Sequence, residues 1–195
     1  MEREEPTPSI SSRAGLIGLL LVQAFIGYEW FMSGITKIVR GGFPSGLGDE
    51  LRDKSEGAAG WYKSFLDGSV IPNATAFGYL IEIGELLIGI ALVAAAIAWL
   101  SSWQRLPGGG RVALLFVTAI ASFSAIFLNV NFHLANASAH PWFIPKDGFD
   151  EGVDLDSLMP AIELVLLALS TSVLVSLRRR TRRAIRIGRP RAHGA

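Results

Sequence analysis

The sequence predicts an all-α, polytopic membrane protein: a four-helix bundle with both termini cytoplasmic. Three observations carry this. Half of the 195 residues are apolar, and a mean hydropathy of +0.40 lies above that of an ordinary soluble domain. Four apolar runs each reach the length of about 20 residues that a spanning helix needs. Most charged residues fall between those runs, with arginines concentrated in the C-terminal tail and the short turn near 105–111 and acids in loop 135–157.

The elements follow in order. Residues 1–13 form an acidic tail (Glu2, Glu4, Glu5) ahead of the first helix, 14–39. That run is long, and no small-residue cleavage site follows it, so a retained helix is expected rather than a signal peptide. Loop 40–76 is partly helical in character, and its Trp61, Tyr62 and Phe65 are expected at the membrane interface. The second helix covers 77–100. Pro107-Gly108-Gly109-Gly110 then makes a tight turn into the third, 112–134. Loop 135–157 is acidic and broken by Pro141, Pro145 and Gly148. The fourth helix covers 158–177, and residues 178–195 form a basic tail. Arg105, Arg111 and the tail arginines mark the cytoplasmic side, so loops 40–76 and 135–157 face outward. The four helices make one domain, 14–177.

Composition also excludes chemistry. The chain has no cysteine, which removes disulfides, thiolate metal sites, covalent haem and cysteine-ligated clusters. Of three histidines only His133 lies near a helix end, so no haem is expected, nor a flavin or a metal. The acidic stretch 148–156 misses the EF-hand spacing and is read as a solvated loop. The arginine-rich tail is read as a topology anchor on lipid headgroups, not as a nucleic-acid site.

Carboxylates inside a bilayer are costly and usually mark a site. Glu29 and Lys37 lie in the outer part of the first helix. Glu82, Glu85 and Glu163 lie in the first turns of the second and fourth, and Asn129, Asn131 and His133 in the last turns of the third. Helical periodicity puts Gly78, Glu82, Glu85 and Gly89 on one stripe, and Ser122, Asn129 and His133 on another. Glu29, Ser33 and Lys37 turn only slowly around the first helix. If every stripe points inward, a polar pocket opens under the outer loops. Lys37 can neutralise one carboxylate. The others would crowd a low-dielectric site, so at least one is expected to carry a proton. Such a group suits proton-coupled redox chemistry, since quinone reduction takes up two protons with two electrons. The structural alternative is interhelical glue, with Trp30 as a core residue beside Glu29.

These residues carry a resemblance. GYEWFMSGITKI (27–38), with Trp30, Gly34 and Lys37, resembles the first-helix signature of the DoxX family. ELLIGIALV (85–93), with Glu85 and Gly89, and LNVNFHLANASAHPW (128–142) resemble the family's second- and third-helix segments. The family comprises small four-helix membrane proteins, including the DoxD-like small subunit of thiosulfate:quinone oxidoreductase. The resemblance implies a bacterial or archaeal inner-membrane protein linked to quinone or sulfur redox chemistry. Glu85, Glu82, Glu29 and Lys37 are then the expected catalytic set. Glu85 and Glu82 would relay protons, and Lys37 would balance charge or attract an anion such as thiosulfate. Trp30, Asn129, Asn131 and His133 are the expected quinone contacts. With no redox group expected on the chain, electrons come from a bound donor or a redox partner subunit. The rival expectations are a non-enzymatic scaffold for a peripheral redox or stress protein and a small transporter.

Overall fold

The computed structural model describes residues 10–102, 105–136 and 155–187, with side chains for 14–102, 105–136 and 158–179. The acidic stretch 148–156 lies mostly outside them, as do the end of the basic tail and the first nine residues.

The described chain is helical, with no strand. Helix α1 covers Ile10–Arg40, α2 Phe43–Lys54, α3 Gly60–Phe65, α4 Ala74–Ser102, α5 Gly108–Ala135 and α6 Leu155–Ile187. Four of these helical segments are long and apolar enough to cross a membrane, those of α1, α4, α5 and α6. They form an antiparallel bundle in which α1 packs on α4, α4 on α5 and α5 on α6. The protein is thus a multi-pass, four-helix membrane protein. Its outer surface suits lipid: Phe25, Leu80, Leu87, Phe123 and Phe127 are all exposed. The core runs through Ile26, Trp30, Ile88, Leu92, Ala121 and Ala125.

Glycines make the α1–α4 seam. In lipid there is little hydrophobic drive between helices, so close van der Waals packing must hold them. A Cβ on Gly34 would overlap the backbone of Leu86, and one on Gly89 the backbone of Phe31. Gly27 lies two turns before Gly34, and a Cβ there would come within 2.8 Å of Leu92 Cβ. Each helix therefore receives the other's backbone where it has no side chain.

Helix α1 stops at Gly41 and Gly42, both left-handed (φ 68° and 79°), a conformation glycine adopts without steric cost. The reversal lays α2 against the start of α4, where Pro44 seats on Gly78. The chain then enters α4 almost without a break. One π-helical turn at Leu66–Val70 and one 3-10 turn at Ile71–Asn73 join α3 to α4. Pro72 lacks an amide hydrogen, and these two turns absorb the lost register.

Three local readings change. The helical path of the second span begins at Gly60 rather than near 77, because Tyr62, Leu66 and Val70 recur every four residues and bury one stripe against Ala135. Trp61 and Phe65 are exposed, as an interfacial belt requires, but Tyr62 is buried, since its hydroxyl is held by Asn131. The turn between the second and third spans closes by Pro107, which caps α5 in an extended conformation, so Gly108 to Gly110 are already helical.

The seam yields a stability prediction. Gly34→Ala and Gly89→Ala each gain at most ~1 kcal/mol of helix propensity but incur overpacking of about 1–3 kcal/mol or more. Both are expected to lower the unfolding temperature of the detergent-solubilised protein. Gly84→Ala has only Leu128 Cδ1 at 4.0 Å and is expected to leave it unchanged or raise it. Equal behaviour of all three would contradict the packing account.

Candidate functional site

The close α1–α4 seam carries the first part of the site. Ser33 precedes Gly34, and Glu85 lies one turn from Gly89, so the approach of the glycines brings Ser33, Lys37 and Glu85 together. Lys37 Nζ lies 2.6 Å from Glu85 Oε2 and donates to Ser33 Oγ at 2.7 Å. Ser33 Oγ in turn donates to the same Glu85 oxygen at 2.9 Å. A hydroxyl that accepts from Lys37 and donates to Glu85 gives this triangle one direction. Glu85 is 1% exposed and Lys37 24%, so the acid is inside and the base is at the edge. Removing one partner of so buried a pair typically costs about 3–5 kcal/mol.

A second carboxylate sits deeper. Glu163 of α6 is fully buried. Its Oε1 accepts from Trp30 Nε1 at 2.7 Å, and the Asn129 amide donates to Oε1 and Oε2 at 3.2 and 3.1 Å. One carboxylate thereby ties α1, α5 and α6. Glu82, one turn from Glu85 on the same stripe, is also buried, and its Oε2 has no hydrogen-bond partner among the described residues. Ser122, Asn129 and His133 are buried along α5 as their spacing predicts.

The expected site residues therefore divide. Lys37 and Ser33, both part-buried, form one group with the buried Glu85, and Glu82 and His133 are also buried. Trp30 and Asn129 are both engaged by Glu163. Asn131 accepts from the Tyr62 hydroxyl at 3.0 Å and donates to Phe127 O at 2.7 Å, which fastens α3 to α5. Glu29 does not join the inward cluster. Its side chain is exposed on α1. The reason is rotational: Trp30 must point inward to reach Glu163, and the preceding residue is turned away by about 100°.

Sequence reasoning expected a polar pocket under the outer loops but missed the apolar walls of the one that reaches Lys37. This open pocket holds about 200 Å³ between α2 and the ends of α1 and α5, and Phe43, Leu47, Leu51 and Phe132 form its walls. Lys37 Nζ stands 5.1 Å from the centroid of the Phe43 ring, within cation–π range. Gly-Gly-Phe-Pro at 41–44, a turn signal followed by an aromatic, was the available clue. Among the described residues no group of acids and histidines is placed to hold a metal.

The Glu163 tie is testable as a unit. Trp30→Phe keeps the bulk of an aromatic and deletes the donor, so it is expected to lower stability by about 1–3 kcal/mol. Glu163→Gln should cost less in the Trp30→Phe background than in the wild type. Thermal unfolding of the four members of this double-mutant cycle measures the coupling, and strict additivity would show that the bond contributes nothing.

No protein-family model, no curated protein and no solved structure matches this chain.

Proposed function

We propose that this protein is the quinone-interacting membrane subunit of an oxidoreductase, with its site at the outward end of the bundle. The observation that carries the reading is the Lys37–Ser33–Glu85 triangle. It is an ordered hydrogen-bonded group of acid, hydroxyl and base that runs from a pocket into the bundle interior. Such a group can pass a proton between an oxygen in the pocket and a carboxylate screened from water. Glu82 lies buried one turn away on α4, and its Oε2 meets no donor among the described residues. The likeness of these segments to the DoxX family supports the same direction, as does the concentration of arginines at the opposite end, in the short turn and the C-terminal tail. Electrons reach the quinone from a bound donor, with thiosulfate the first candidate, or from a redox partner subunit. The same likeness supports a bacterial or archaeal inner membrane as the location.

The reading is tested by donor-dependent reduction of a soluble quinone analogue in membranes carrying the protein, with thiosulfate as the first donor. Glu85→Gln keeps the shape and removes the proton carrier. Per unit of folded protein, it is expected to lower turnover by about 10²-fold or more, the range for loss of a proton-transfer group. Full activity in Glu85→Gln would end the relay role. Crosslinking of a stoichiometric partner in intact cells, with no quinone reactivity in either membrane, would support the scaffold instead.

A further inference from the structure

We infer that the pocket beneath α2 is the seat of the ligand's ring: a single planar aromatic or quinonoid ring bearing a hydrogen-bond-accepting oxygen, held between Phe43 and Phe132 with that oxygen on Lys37. This rests on the quinone reading above and locates it away from Trp30, Asn129 and Asn131, whose polar groups are already bonded within the protein.

Size comes first. A cavity of roughly 150 Å³ lined by apolar side chains suffices for benzene, whereas pockets for whole drug-sized ligands run from about 300 Å³. At about 200 Å³ this pocket holds one ring. Its walls agree, because Phe43 and Phe132 present aromatic carbon and Leu47 and Leu51 close the side under α2.

The donor comes second. An ammonium has three N–H groups. Lys37 commits one to Ser33 and one to Glu85; the residue lines the pocket, and its Nζ stands 5.1 Å from the centroid of the Phe43 ring, which also lines it. The third N–H is left for a ligand oxygen. The acceptor would complete the valence of Lys37 without disturbing its pair with Glu85.

Charge then separates a neutral ring from an inorganic anion. Two lysines reach the pocket, but each already has a carboxylate: Lys37 has Glu85 at 2.6 Å, and Lys54 has Glu50 at 2.8 Å. Two cations against two anions leave no net positive charge to offset the desolvation of a dianion such as thiosulfate. A neutral ring with a carbonyl oxygen meets no such cost. An anionic electron donor, if one is used, must therefore act from outside this pocket.

The larger groove between α4 and α5, about 480 Å³ lined by Leu80, Leu87, Phe123 and Phe127, is apolar throughout apart from Ser124 and has no cation to meet a carbonyl. It serves as the control surface.

The test is calorimetric titration of the full-length, detergent-solubilised protein with a decyl-substituted benzoquinone. The wild type is expected to bind one equivalent. Leu51→Trp, which fills the pocket from a partly exposed position on α2, and Phe132→Leu, which removes an aromatic wall, are each expected to weaken binding by about tenfold or more. Ile120→Trp in the α4–α5 groove should bind as the wild type does. Circular dichroism and gel filtration confirm that each variant is folded, and having two pocket variants keeps the test intact if one is not. Undiminished binding in a folded pocket variant, or loss in Ile120→Trp, overturns this location while the quinone reading stands. Failure of the folded wild type to bind the quinone overturns both. Thiosulfate binding that displaces the quinone from the wild type, and is lost in Leu51→Trp, overturns the assignment to a neutral ring.

Discussion

The contact on which everything else depends is the meeting of two backbones, those of α1 and α4, with almost nothing between them. Gly34 and Gly89 each occupy a place where a single carbon more would strike the other chain. Only at that separation can Ser33, on a short side chain, reach the carboxylate of Glu85. Larger residues on the seam would move the helices apart by more than a hydrogen bond tolerates. The glycines thus set packing and chemistry with the same atoms. Their cost in helix propensity is small beside the close interhelical packing they permit.

The buried carboxylates divide the labour. Glu163 is satisfied wholly by neutral donors from two other helices and acts as a clamp. Glu85 is satisfied by a cation that still touches a pocket. A clamp without spare valence fixes geometry, and a pair with one N–H uncommitted can respond to a ligand.

The spans were legible in the sequence because apolar length is decisive in a bilayer, and the stripe from Gly78 through Glu82 and Glu85 to Gly89 was legible because 3.6 residues per turn is a rigid rule. All four of those residues are buried. The pairing of Lys37 with a glutamate was expected, but periodicity within one helix cannot say which glutamate of another it meets. Glu29 shows the limit. It shares a slow drift with Ser33 and Lys37, yet the demand of Trp30 for Glu163, 133 residues away, sets the rotation of α1 and turns Glu29 outward. Tyr62 and Asn131 show it again, since two residues with familiar surface roles are consumed by each other. The apolar walls of the pocket escaped because they form only after α2 has folded back against the bundle, and two left-handed glycines decide that path.

The locking of Lys37 to Glu85 has a consequence for how the site experiences an energised membrane. A lone elementary charge crossing the bilayer gains about 2.3 kcal/mol for each 100 mV. Here opposite charges stand 2.6 Å apart, less than a tenth of a hydrocarbon core about 30 Å thick. The field pulls on them in opposite senses, and the remainder of that tug is at most about 0.2 kcal/mol per 100 mV. The Lys37–Glu85 pair is a short dipole, so its own geometry is nearly the same in a polarised membrane as in a depolarised one.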